Sequence, residues 1–205
     1  KTTRNVLIPV VVFIIAVLVW GLTPLDHHFF SLKPTTGPDF QPYPYSDARY
    51  VDLGAISVLT GKGILFHQST DKPLYIIFTA IYHLIAGNNY NLIQWLQVCF
   101  LALIPVFAYK FGAKFHSPLF GFILSLLLIL QQRNAIILAL EISSVNVKLL
   151  MSETVTLLGI VVIIFLFFLW YQSKRVLYAL LLSTIVGALS LIRYNPILFF
   201  PAIAF

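Results

Sequence analysis

The sequence predicts an all-α protein, a polytopic bundle of transmembrane helices with an outer loop that bears interfacial amphipathic helices. Of its 205 residues, 60% are hydrophobic and only 10% are charged, and the mean hydropathy is +0.93. Such a chain is too apolar to hide its hydrophobic residues inside a water-soluble globule, so we expect a bilayer to be its solvent. The apolar residues also fall into runs of the length that crosses a bilayer.

Five apolar runs are candidates for complete crossing, because about 17–25 residues are needed to span the hydrocarbon core. They cover residues 6–22, 91–109, 118–138, 155–171 and 176–192, and a further run occupies 197–205. The first run follows Lys1 and Arg4 and is interpreted as a retained helix, since it lacks a small-residue cleavage site. Both ends of the sequence look cut, so residues 1–205 are expected to be the amino-terminal part of a longer transmembrane domain.

Basic residues predict the orientation of these helices. Three basic pairs fall on one side if the five runs alternate and the short run 73–86 does not cross. They are Lys1 with Arg4, Lys110 with Lys114, and Lys174 with Arg175. The positive-inside rule assigns that side to the cytoplasm. All seven acidic residues then lie on the outer side, together with the long loop 23–90.

The net charge of +6 is explained by this topology. Lys and Arg form no stripe with interleaved aromatic residues, so no nucleic-acid partner is predicted. Cys99 is the only cysteine, which excludes an intrachain disulfide. No cofactor is predicted: His27, His28 and His67 lie in the outer loop and permit a divalent metal, but their spacing does not specify one.

The outer loop contains two predicted helices. Prolines and a glycine exclude a regular helix from 33 to 45, after which Ser46 can cap a helix from Asp47 to about Thr60. Gly61 and Gly63 are expected to end it. Apolar residues on this helix predict that it lies on the outer leaflet; they are Tyr50, Leu53, Ala55, Ile56 and Leu59. The run 73–86, interrupted by His83, is too short to cross and is expected to lie at the interface or to re-enter.

Two carboxylates are candidates for catalysis, and each also has a purely structural interpretation. Asp47 begins the first loop helix, where the helix dipole favours a negative charge. Glu153 follows Ser152 just before the run 155–171, where the two residues can cap a helix. Both are also predicted at the outer membrane surface, where an ionisable group is a candidate for a functional site. The residues alone leave both interpretations open.

Two basic side chains are candidates for binding phosphate. Lys72 precedes Pro73 at a predicted helix start, where a cation is disfavoured unless an anion is near. Asp71 can be that anion, and so can a lipid phosphate. Arg193 ends a spanning run on the outer side, which fits either snorkelling or a bidentate phosphate contact. Arg133 presents the same choice, and a structural role is favoured for it.

In their order and spacing, these motifs resemble the membrane glycosyltransferases of the C fold (GT-C), in the branch of the protein O-mannosyltransferases and the lipid A aminoarabinose transferase. The resemblance covers nearly the whole chain. It is carried by Asp47-Ala48-Arg49-Tyr50, Asp71-Lys72-Pro73-Leu74-Tyr75, Gly87-Asn88-Asn89, Leu150-Met151-Ser152-Glu153 and Arg193-Tyr194-Asn195-Pro196. The chain departs from the family at Ala48, where many relatives have glutamate, and at Leu74, where they have a second proline.

The resemblance implies a transferase that moves a sugar from a polyprenyl-phosphate-linked donor to a protein, lipid or glycan acceptor. It also implies a multi-pass protein of the bacterial plasma membrane with its active site on the outer face. The family pattern assigns catalysis to Asp47 and Glu153, donor-phosphate binding to Lys72 and Arg193, and supporting roles to Asp71 and Tyr50. No glycine-rich phosphate loop is present, and a lipid-phosphate donor needs none.

Two other functions remain open. A lipid transporter or flippase would also need outward charges near lipid phosphates, but no ionisable group lies convincingly at the centre of a spanning run. A non-catalytic GT-C-like subunit of a larger membrane assembly is the second alternative. It stays open because Ala48 replaces the glutamate of many relatives and because the sequence ends abruptly at Phe205.

Overall fold

A computed structural model of the protein describes residues 2–25, 30–31, 41–64, 66, 71–138 and 145–193. Within these ranges all regular secondary structure is helical, so the all-α prediction is confirmed. The helices are α1 (Thr2–Leu22), α2 (Asp47–Leu59), α3 (Pro73–Ala86), α4 (Tyr90–Leu101), α5 (Leu103–Phe115), α6 (Pro118–Ile137), α7 (Ser152–Ser173) and α8 (Val176–Ser190). A single bridge between Ser31 and Pro44 pairs two loop segments.

Three helices in the described ranges are long and apolar enough to cross a membrane. They are the rod Tyr90–Phe115, made of α4 and α5, together with α6 and α7, and they contain 26, 20 and 22 residues. Three of the five predicted spans therefore reach the required length. The other two predicted spans correspond to shorter apolar helices, Val6–Leu22 within α1 and Val176–Ser190 (α8). The run 197–205 lies outside the described residues.

The rod Tyr90–Phe115 consists of two helices that meet at Ala102. Pro105 has no N–H to donate to the carbonyl one turn earlier, and the helix is interrupted at Ala102. The rod also continues past the predicted end at 109. Lys110 and Lys114 consequently lie on the last turns of α5, and not in a connecting loop as the sequence suggested.

Helices α5 and α6 form a close antiparallel pair. A Cβ atom built on Gly121 would lie 2.5 Å from Tyr109 O and 2.7 Å from Ala113 N, so only glycine permits this approach. The Ser125 hydroxyl donates to Pro105 O at 2.8 Å, which supplies a polar contact between the same helices. The Trp20 indole N–H donates to Ile129 O at 2.9 Å and attaches α1 to α6.

Helix α2 begins and ends close to the predicted residues, but its start is not capped as expected. Ser46 occupies the N-cap position at φ 53° and its side chain makes no capping hydrogen bond. At the other end, Gly61 adopts φ 76°, and the amide of Lys62 donates to Ser57 O at 3.0 Å. This is a Schellman ending, so the predicted termination by Gly61 is confirmed.

The apolar residues of α2 that were predicted to face the outer leaflet are mostly left uncovered by protein. Tyr50 and Leu59 are 61% and 40% exposed, and of the five only Ala55 is fully buried. The buried face instead carries small residues and one carboxylate: Ala48, Val51, Asp52, Gly54, Ala55 and Ser57. Small residues occupy this face because α3 packs closely against it. A Cβ on Gly54 would lie 3.2 Å from Ile76 Cδ1. The large apolar side chains are left facing outward.

The segment that precedes α7 is held firmly against α4. The buried Gln97 amide donates to Val147 O at 2.8 Å and to Leu149 O at 2.5 Å. Leu149, Leu150 and Met151 are buried in the same apolar cluster as Ala48. This packing fixes where the first turn of α7 begins, and with it the position of Glu153.

Candidate functional site

Glu153 and Arg193 form an ion pair. Glu153 lies in the first turn of α7, and Arg193 lies just beyond the carboxyl end of α8. The carboxylate and the guanidinium are in direct contact, and each side chain is 33% exposed. Two residues that the family pattern assigns to catalysis and phosphate binding are therefore brought together. The tertiary structure adds a contact that their separation in sequence did not reveal.

The start of α3, which Lys72 precedes, is attached to the end of α8, which Arg193 follows. The neighbour of Lys72 in the chain, Pro73, begins α3, and the amide of Leu74 donates to Leu191 O at 3.1 Å. This hydrogen bond ties the start of α3 to the end of α8. Lys72 and Arg193 each stand two residues from it, so both cations belong to one corner of the molecule. We call the starts of α3 and α7 and the end of α8 the phosphate corner.

Asp71 does not neutralise Lys72 through a direct contact. Asp71 is exposed, and within the described residues no ion pair joins its carboxylate to the Lys72 ammonium. If Lys72 had a purely structural role, Asp71 was expected to be its ionic partner. Lys72 is partly exposed at the N-cap of α3, where its charge stays available to an anion.

Asp47 occupies the first position of α2 and is exposed. It makes no hydrogen bond or ion pair within the part of the chain that the structure describes. Its neighbour Ala48 is fully buried in a cluster with Leu150 and Met151, which directly precede α7. The start of α2 therefore packs near the residues leading to Glu153. Tyr50 lies one turn further along α2 and is 61% exposed.

A buried network that sequence reasoning missed joins α2, α3 and α4. Asp52 accepts a hydrogen bond from the Tyr90 hydroxyl at 2.8 Å through one carboxylate oxygen. Its other oxygen lies 2.8 Å from His83 Nε2. His83 Nδ1 lies 2.8 Å from Gly87 O. Both ring nitrogens thus face oxygen acceptors, which an imidazolium satisfies and a neutral ring, with one N–H, does not.

His83, the polar residue that interrupts the apolar run 73–86, is part of the continuous helix α3. It lies in the last turn of α3, where the helix dipole favours a positive charge. Burial lowers the pKa of His83, but the hydrogen bond and charge of Asp52, with the Gly87 carbonyl, outweigh it and raise the pKa above its ordinary value. The charged ring pairs with Asp52 where neither is open to solvent.

We predict that this histidine makes stability depend on pH. Because its pKa is raised in the folded state, its contribution is fully present below about pH 6.5, the unfolded value, and is lost as pH rises through the folded-state pKa. Equilibrium unfolding in detergent micelles between about pH 5.5 and 9 should show this fall. His83→Gln should lack it. An unchanged profile in His83→Gln would assign the pH dependence to other groups.

Two signals in the sequence could have revealed the network. Asp52 lies at the helical spacing of Ala48, Val51 and Ala55, on a face otherwise made of small apolar residues. A carboxylate on a buried face requires a partner. His83 was the polar residue in the run 73–86, and it supplies that partner.

Several of the predicted features lie outside the described residues. They include His27, His28 and His67 and the Tyr194-Asn195-Pro196 part of the last motif. Within the described ranges no group of three His, Cys, Asp or Glu residues is arranged to hold a metal ion. No model of a known family, no curated protein sequence and no solved structure matches this chain. Its function is therefore inferred from its own geometry.

Proposed function

We propose that this chain is part of a membrane glycosyltransferase that transfers a sugar from a polyprenyl-phosphate-linked donor to an acceptor at the outer face of the membrane. The observation that carries the proposal is the phosphate corner, where the Glu153–Arg193 pair adjoins the start of α3 and Lys72. The corner carries two cationic residues, Lys72 at the amino end of α3 and Arg193 after the carboxyl end of α8. Such an arrangement suits a phosphate group.

The exposed apolar surface supports a membrane setting for this corner. On α3 four large apolar side chains face outward: Ile77, Ile81, Leu84 and Ile85 are 44%, 46%, 71% and 62% exposed. The helix has 14 residues, about 21 Å at the usual rise, and is too short for a hydrocarbon core of about 30 Å. A short helix with one apolar exposed side is suited to lie in the interface.

In the proposed reaction the acceptor hydroxyl attacks the anomeric carbon of the donor sugar. The new bond forms between the acceptor oxygen and that carbon, while the bond from the carbon to the phosphate oxygen breaks. The Asp47 carboxylate takes the proton of the hydroxyl. It is suited to this role because it is exposed and has no ion-pair partner among the described residues. The polyprenyl phosphate leaves with the bonding electron pair.

The phosphate corner would stabilise the leaving group. Negative charge grows on the phosphate as the bond to the sugar breaks, and Lys72 and Arg193 are the cations that can meet it. A guanidinium has five N–H donors, so Arg193 can pair with Glu153 and still donate to a phosphate oxygen. Glu153 would orient Arg193, and through it the donor.

We expect Asp47→Asn to lower sugar transfer by about 10²- to 10⁴-fold, the usual contribution of a positioned general base. The fold should be unaffected, because the Asp47 side chain is exposed and has no partner among the described residues. The assay is the loss of labelled mannose from polyprenyl-phosphate mannose in nanodiscs that contain the purified full-length protein, with a membrane extract as acceptor source.

Lys62→Ala is the matched control, since Lys62 is also an exposed charge on the α2 side of the molecule, and among the described residues its ammonium lies against the Phe66 ring. It should transfer sugar at the rate of the unaltered protein. Equal rates in Asp47→Asn and the unaltered protein would refute the role of Asp47. Movement of the labelled lipid across liposomes with its sugar bond intact would favour a flippase, and absence of both activities a non-catalytic subunit.

A further inference from the structure

Lys148 is a buried cation for which the described residues provide no carboxylate. It is 8% exposed and lies in the segment that precedes α7. Its ammonium donates to Gly21 O at 2.9 Å and to Thr23 O at 2.5 Å, at the carboxyl end of α1. These carbonyls use two of its three N–H donors. Burial lowers the pKa of Lys148, which shows that its charge is costly where it stands.

A cavity of about 200 Å³ lies beside this lysine. It is lined by Gly21, Asn91, Gln94, Trp95, Val98 and Lys148. Gly21 both lines the cavity and accepts a hydrogen bond from the ammonium, so the charge lies at the cavity wall. The volume is enough for a phosphate group with several waters, since a single water needs only about 10–15 Å³ of such space. Two amide side chains add donors to the same wall.

Within the described residues the partners of the Lys148 ammonium are two carbonyl oxygens at the carboxyl end of α1, which carries roughly half a negative charge. This partial charge offsets only part of the full positive charge. Lys148 stands in a largely buried position, where a charge without a counter-ion is expensive. Capping of the carboxyl end of α1 explains the two hydrogen bonds of Lys148. It does not explain the polar cavity beside the ammonium.

We propose that this cavity is an anion site that takes a phosphate or carboxylate group, with Lys148 as counter-ion and the amides of Asn91 and Gln94 as further donors. The group can belong to a lipid headgroup or to an anion free in solution. None of these residues belongs to the phosphate corner. The site is therefore independent of the proposed transferase reaction and would bind its anion even in a non-catalytic protein.

The site is tested by binding measured as a shift of thermal unfolding, since a ligand that binds only the folded state stabilises it. One arm titrates inorganic phosphate into the detergent-solubilised protein against sodium chloride of equal ionic strength. The other compares nanodiscs of phosphatidylglycerol with nanodiscs of phosphatidylcholine. A shift in the first arm identifies a free anion as ligand, and a shift confined to the second identifies a lipid headgroup.

Three variants assign the shift to the cavity. The double variant Asn91→Ala with Gln94→Ala removes two cavity donors and leaves the contact of Lys148 with α1 intact. It should weaken anion binding by about tenfold or more, as expected for the loss of hydrogen bonds to a charged group. Lys148→Met should abolish the shift, and Lys62→Ala, an exposed lysine elsewhere, should keep it.

Absence of any anion-dependent shift in both arms would overturn the proposal. An undiminished shift in the Asn91→Ala, Gln94→Ala variant would do so as well, because the anion would then bind elsewhere. Because Lys148 also holds the end of α1, Lys148→Met can fail to fold. In that case the double variant decides the outcome alone.

Discussion

Replacing Asp52 by alanine is expected to lower the free energy of unfolding by about 3–5 kcal/mol, the usual cost of removing one partner from a buried ion pair. Asp52 is 4% exposed and satisfies both the His83 ring and the Tyr90 hydroxyl. Without it, a buried imidazolium loses its counter-ion and the tyrosine loses its acceptor. Equilibrium unfolding in mixed detergent micelles measures the change.

Asp47→Ala provides the matched control for this experiment. Asp47 stands on the same helix, but it is exposed and has no partner among the described residues. It should change stability far less than Asp52→Ala does. A double-mutant cycle with His83→Ala adds a second check, since two residues that stabilise each other give a double variant less destabilised than the sum of the single ones. Additive effects would contradict the pairing of Asp52 with His83.

Replacing Gly121 by alanine is expected to destabilise the protein by about 1–3 kcal/mol, the usual cost of an overpacked core. The added methyl group would meet backbone atoms of α5, Tyr109 O and Ala113 N, at 2.5 and 2.7 Å. Backbone atoms cannot rotate away as a side chain can, so the two helices must separate. This clash outweighs the gain of about 1 kcal/mol that alanine normally brings to a helix interior.

Gly187→Ala is the control with the opposite expected sign. Gly187 lies within α8, and a Cβ built there meets nothing within 4 Å. The substitution should leave stability unchanged or raise it by up to about 1 kcal/mol. Both changes are measured by the same unfolding assay. Equal effects of the two substitutions would show that the contact between α5 and α6 does not limit stability.

The sequence predicted which residues belong to the candidate site better than it predicted which of them are in contact. Lys72 and Arg193 were recognised because each places a cation where the helix dipole or the positive-inside rule disfavours it. The ion pair of Arg193 with Glu153 was not predicted. The two residues are separated by two whole helices, α7 and α8, and only the packing of these helices brings their ends together.

Asp52 is a second residue whose contacts the sequence did not predict. In sequence it was one acidic residue among five in the outer loop, while the apolar residues of α2, Tyr50 and Leu59 among them, predicted contact with the outer leaflet. Periodicity locates an apolar stripe, but it does not state whether protein or lipid covers that stripe. In the structure α3 packs against the small residues, and the large apolar ones are exposed.

The sequence by itself determined the all-helical class and the start and end of α2, because hydropathy, prolines and glycines act locally along the chain. The tertiary structure alone decided which polar groups meet. Asp52 pairs with His83, Arg193 with Glu153, and Lys148 with the end of α1. The physical reason is that a buried polar group must find its partner in space, and such partners lie far apart along the chain.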